Sequence, residues 1–119
     1  MKENITAKKS IDFAIPIVHL YKAITSERRE YVLSKQLLRS GTAIGALVRE
    51  AEHAESKADF LHKMRIALKE ANETVYWILL LKEGGYLSEE EFLNANNNCL
   101  EMVKLLASIV KTTKVNLNR

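Results

Sequence analysis

Residues Tyr31–Ala51, YVLSKQLLRSGTAIGALVREA, and Ser56–Trp77, SKADFLHKMRIALKEANETVYW, decide the fold of this chain. In the first stretch Leu37, Leu38, Gly41, Ile44 and Val48 recur at helical spacing, which places them on one face of a 3.6-residue turn. The second stretch does the same, and only a short polar turn separates them. Two long helices joined that closely are antiparallel neighbours.

Working outward, the pattern predicts four helices, at about 10–25, 34–54, 57–82 and 89–112, in one domain spanning residues 1–119. The predicted fold class is all-α, an up-and-down antiparallel four-helix bundle. Ser34 is the expected N-cap of the second helix, Ser56 with Asp59 resembles a capping box, and Ser88 with Glu91 forms one. Gly84 and Gly85 are expected to end the third helix in left-handed conformations. Pro16 removes a backbone donor from the first segment, so a kink or a later start is expected there. Residues 113–119 are expected to fray.

Composition agrees with this class. Hydrophobic residues are 47% of 119, with 4 Gly and 1 Pro, so turns are few and elements long. A single cysteine, Cys99, forms no internal disulfide, and no leader-like segment precedes the first helix; both facts point to a reducing, cytoplasmic home. Apolar runs such as Trp77–Leu81 are far shorter than the roughly 20 residues a bilayer requires, so no membrane span is expected.

The apolar faces are wider than a monomer needs. On the fourth helix Cys99, Val103, Leu106 and Val110 are flanked by further apolar residues on both sides, an arc of about 220°, twice the width that one-sided packing uses. On the first helix Phe13, Ile17, Leu20 and Ile24 form one row and Ile11, Ala14, Val18 and Tyr21 the next. A homo-oligomer is the expectation, because monomers seldom expose so large a patch. In the second helix Gly41 and Gly45 each cost about 0.8–1 kcal/mol relative to Ala, which close approach by a neighbouring helix offsets. A phosphate-cradling loop is excluded: no strand precedes the glycines and no Gly-Lys-Ser/Thr follows.

The net charge of +3 is unevenly spread. Lys22, Arg28, Arg29, Lys35 and Arg39 face only Glu27 and Glu30 in their segment, whereas residues 73–91 are acidic. The candidate nucleic-acid contacts are Arg28, Arg29, Lys35, Arg39, Arg49 and Lys57, by attraction to phosphates.

Other constellations are weaker. Glu50 and His53 form one Glu-x-x-His unit, and Asp59 with His62 a near-copy; a di-metal bundle site needs two full units and two further glutamates, so no metal and no cofactor is predicted and a di-metal bundle protein is the remote alternative. Cys99 reads as a buried, inert thiol. Tyr76 and Trp77 read as packing residues rather than base platforms. Arg39, Glu50, Glu70 and Glu73 flank the small-residue seam and read as an ion-pair network rather than an acid–base pair. No catalytic set is present, and the predicted class is non-enzymatic.

The segment Gln36–Leu81, QLLRSGTAIGALVREAEHAESKADFLHKMRIALKEANETVYWILLL, resembles the 23S rRNA intervening-sequence protein family. Gln36, Arg39, Ser40, Glu50, Ser56, Asp59, Phe60, Glu70, Glu73 and Thr74 are among its most specific elements, and the likeness runs from Phe13 to about Leu87. Many relatives carry Asn-Ile-Ala-Glu where this chain has Leu47, Val48, Arg49 and Glu50. The resemblance implies an up-and-down bundle assembled into a ring, with pentamers expected. It also implies kinship with the accessory protein of diversity-generating retroelements, and hence RNA or DNA as a partner. A structural or protein-interaction module without nucleic-acid binding is the alternative.

Overall fold

The computed structural model describes residues 4–118. They form four helices: α1 (Ile5–Arg28), α2 (Leu33–Glu52), α3 (Lys57–Glu83) and α4 (Glu89–Leu117). Each touches its two neighbours around the bundle and none crosses the diagonal. Cross-helix pairs establish the antiparallel register. Arg39 of α2 meets Glu70 and Glu73 of α3, while Glu50, further along α2, meets Lys63, further back on α3. The predicted up-and-down bundle is the observed fold. Its centre holds Ile17, Ile24, Leu37, Ile44, Met64, Ile78, Leu81 and Leu106, all fully buried, each contributing about 1.5–3 kcal/mol of transfer free energy as an upper bound.

The ends differ from expectation in instructive ways. α1 starts at Ile5 and continues as one helix past Pro16, so the later start expected there does not occur. The Asn4 side chain accepts from the Ala7 N–H and nucleates the earlier start. The carbonyl that Pro16 leaves without an intrahelical donor belongs to exposed Asp12, which solvent can reach.

Ser34 is not the cap of α2. It lies inside the helix, buried, with its hydroxyl donating to the Glu30 carbonyl. Glu30 caps instead: its carboxylate accepts from the N–H groups of Val32, Leu33 and Ser34 at 3.0, 2.9 and 2.7 Å. Burial pushes the Glu30 carboxyl up, but the backbone donors and the Ser34 hydroxyl outweigh it and hold the group below its ordinary value. Arg29, left-handed at φ 55°, makes the turn that brings Glu30 there.

Ser56 accepts from the Asp59 N–H, but Asp59 reaches back to Glu55 rather than to Ser56, so that cap is half of the expected box. The Ser88–Glu91 box is complete. Only Gly85 is left-handed at the end of α3; Gly84 remains right-handed. α4 continues to Leu117, through residues expected to fray.

The glycine seam is real, and its partner is α1. A Cβ on Gly41 would lie 3.0 Å from Ile17 Cγ2, and one on Gly45 would lie 3.2 Å from Ser10 Oγ. Ser40, in the same stretch, instead faces α3, accepting from the Thr74 hydroxyl at 2.8 Å. α1 and α4 meet least, and two grooves of about 410 and 260 Å³ open between them.

Candidate nucleic-acid interface

The six cations singled out in the sequence are not one patch. Arg28, Arg29 and Lys35 stand around the α1–α2 turn. Arg39 is on the next turn of α2, one turn beyond Lys35. Arg49 and Lys57 flank the α2–α3 turn at the other end, Arg49 lying about 21 Å along α2 from Lys35.

Two of the six are already engaged. The Arg28 guanidinium donates to both Glu91 carboxylate oxygens, at 3.0 and 2.8 Å, and to the Tyr86 carbonyl at 2.8 Å. Its hydrogen bond with Glu91 raises Arg28 further above its ordinary value, and the same bond, with the Ser88 N–H, lowers Glu91. Arg28 therefore ties the end of α1 to the capping box of α4. Arg39 donates to Glu70 at 3.0 Å and to Glu73 at 2.8 Å, chiefly Glu70 raising its basicity. The expected ion-pair network forms around Arg39, with Glu50 outside it on Lys63. Arg29, Lys35, Arg49 and Lys57 are exposed and make no ion pair among the described residues.

A groove of about 880 Å³ runs along the α2–α3 face, and it holds cations that the sequence reading passed over. On α3, Arg65, Lys69, Asn72 and Tyr76 recur at i, i+4, i+7 and i+11, within a stripe about 60° wide at 100° per residue. All four are exposed. Arg39 edges the groove from α2, and Trp77 lines it beside Tyr76. The two rings meet edge-on, with centroids 5.1 Å apart and planes at 68°. The Trp77 indole Nε1 is buried without an acceptor. Arg65 and Lys69 make no ion pair among the described residues; Arg39 is shared by Glu70 and Glu73, so these five groups sum to +1. Their signal in the sequence is the helical spacing, which linear charge runs do not show.

The metal-ligand candidates do not converge. Lys63 Nζ stands 4.0 Å from both Glu50 and Asp59, and Asp59 also accepts from the Glu55 N–H. Among the described residues no group of three or more His, Cys, Asp or Glu is placed to hold a metal ion. Cys99 is fully buried, its thiol donating to the Ala71 carbonyl at 3.4 Å and pushed up to about 12 by burial. Such a thiol is no nucleophile near neutral pH. Among the described residues no helix is long and apolar enough to cross a membrane.

Fold and face together define an antiparallel four-helix bundle whose polar chemistry is a basic, aromatic-lined groove. The chain belongs to the 23S rRNA-intervening sequence protein family, whose model matches residues 2–108. It is similar to a protein of unknown function from the S23 ribosomal protein family of Bacteroides thetaiotaomicron VPI-5482. That crystal structure, at 1.70 Å, is 53% identical over 90% of this chain and 99% of that one, with a TM-score of 0.88. No curated protein matches the chain.

Proposed function

We propose that this protein is a non-enzymatic, homo-oligomeric accessory factor of the bacterial cytoplasm that binds nucleic acid along its α2–α3 face. The groove carries the proposal: Arg65 and Lys69, in no ion pair among the described residues, stand in one helical stripe with a half-exposed tyrosine, and Lys35 stands exposed one turn before Arg39 on α2. Phosphates supply the charge such a row attracts. Arg29, Arg49 and Lys57 add cations toward the two ends, while Arg28 serves the bundle itself.

Self-assembly is supported by apolar residues that one copy leaves exposed. Ile11 and Ile15 are 38% and 50% exposed on the outer side of α1, and Leu93 and Leu100 are 46% and 41% exposed on α4. A closed ring, five copies being the number that the family likeness suggests, multiplies a modest charge per chain into a repeated patch.

Filter binding tests the function. RNA and DNA are expected to be retained at 50 mM salt and largely released at 200 mM by counterion uptake. The triple variant Lys35→Glu, Arg65→Glu, Lys69→Glu is expected to retain neither, with its oligomer intact. Arg28 is kept because its loss would unfasten Glu91. No retention by the wild type would transfer the assignment to a protein-interaction module.

A further inference from the structure

Resting on the nucleic-acid reading above, we infer that the α2–α3 groove takes a single strand rather than a duplex, with a splayed base stacked on Tyr76 and the adjoining phosphates on Arg65 and Lys69. Four observations converge on it. Tyr76 is 54% exposed although it is a large aromatic on a helix whose other face is core. It shares its stripe with the two cations, the nearer of which, Lys69, precedes it by two helical turns, about 10 Å. Asn72 stands between them and offers both a donor and an acceptor to a base edge. Beneath, Trp77 edges the tyrosine ring and keeps a buried indole N–H without an acceptor.

The chemistry separates the two forms of nucleic acid. A duplex hides its base faces inside the stack and presents phosphates and base edges, so it would engage Arg65 and Lys69 but offer no face for Tyr76 to stack on. A single strand exposes base faces, and every base has one, so stacking strengthens binding with little sequence preference. Arg39 is shared between Glu70 and Glu73, so with Arg65 and Lys69 the face sets three cations against two carboxylates and keeps a net charge of +1.

Trp77 is the single tryptophan of the chain, so its emission reports on this groove alone. The experiment titrates the full-length protein at low salt with a fluorescein-labelled oligo-dT, an oligo-U of equal length, and a mixed-sequence duplex, reading label anisotropy; unlabelled strands are used for Trp77 emission. Single strands are expected to bind and to change Trp77 emission, and the duplex to bind more weakly without doing so. Tyr76→Ala is expected to weaken single-strand binding about 5-fold or more and to leave duplex binding unchanged. Tyr76→Phe, which keeps the ring, restores it.

Single-strand binding unaltered by Tyr76→Ala, or equal losses for strand and duplex, would overturn the inference while leaving nucleic-acid binding in place. Absence of binding by either form removes the parent reading as well. A fall in oligomer mass on Tyr76→Ala would show that the groove is covered by another copy of the chain, which also overturns the inference.

Discussion

α1 makes two seams, and they are built oppositely. Against α2 it meets Gly41 and Gly45, with Ile17 and Ser10 within 3.0–3.2 Å of where a Cβ would stand. Against α4 it meets Glu91, Asn94, Ala95 and Asn98, and grooves remain. One seam is sealed by removing side chains, and the other leaves grooves lined by apolar and polar side chains together. Its strong tie is at one end, where Arg28 grips Glu91. A bundle open on one flank with apolar rows exposed on α1 and α4 is a unit suited to assembly.

The largest expected effect comes from overfilling the sealed seam. Gly41→Leu gains helix propensity, yet its side chain must displace Ile17; overpacking costs about 1–3 kcal/mol or more, lowering the melting temperature by roughly 5 °C or more. The matched change on the open seam, Ala95→Leu, is expected to stay within about 0.5 kcal/mol. Circular dichroism melts of the two variants break the comparison if both respond alike.

Next is the turn that ends the sealed seam. Glu30→Ala strips the acceptor from three backbone N–H groups of α2 and is expected to cost about 1–2 kcal/mol. Urea unfolding should show a lower midpoint at unchanged slope. Ser34→Ala, which removes a hydroxyl without orphaning the helix start, is expected to cost less. The reverse order would restore Ser34 as the cap.

The smallest effect belongs to the tie across the open seam. Arg28→Ala is expected to cost about 1 kcal/mol, the pair being partly exposed. Its pH dependence carries a definite sign. Glu91 has a folded value below the ordinary 4.5. Its contribution is therefore fully present above that pH and is lost as pH falls through the lowered folded value. Glu91→Gln is expected to be destabilising at pH 7 and to flatten the acid limb of the melting-temperature profile below about 4.5. An acid limb as steep as that of the wild type would remove the tie.

Much of this was legible in the residues. Helix number and order followed from apolar spacing and from short polar turns, Ser88–Glu91 from its local motif, and Gly41 and Gly45 from the cost that mid-helix glycine carries. Arg39 with Glu70 and Glu73 was legible because both helices repeat through the same register. What escaped depended on tertiary placement. No Ser, Thr, Asp or Asn stands at Val32, the residue before α2; the cap comes from two positions upstream, through a left-handed Arg29 that sequence does not favour. Arg28 reads as a free cation until the fold delivers Glu91, 63 residues away. Tyr76 reads as core or subunit packing because it falls in an apolar run at helical spacing, yet the fold leaves it exposed. The glycine seam declared a close neighbour without saying which, and only the packed bundle identifies α1.

Light scattering of the purified protein at micromolar concentration tests most directly whether the uncovered rows are a subunit interface. A mass several times 13.5 kDa is expected for the wild type, falling toward one copy when Ile11 and Ile15, exposed on α1, are both replaced by Glu. A wild-type mass of 13.5 kDa would contradict the assembly and leave those rows as bare surface.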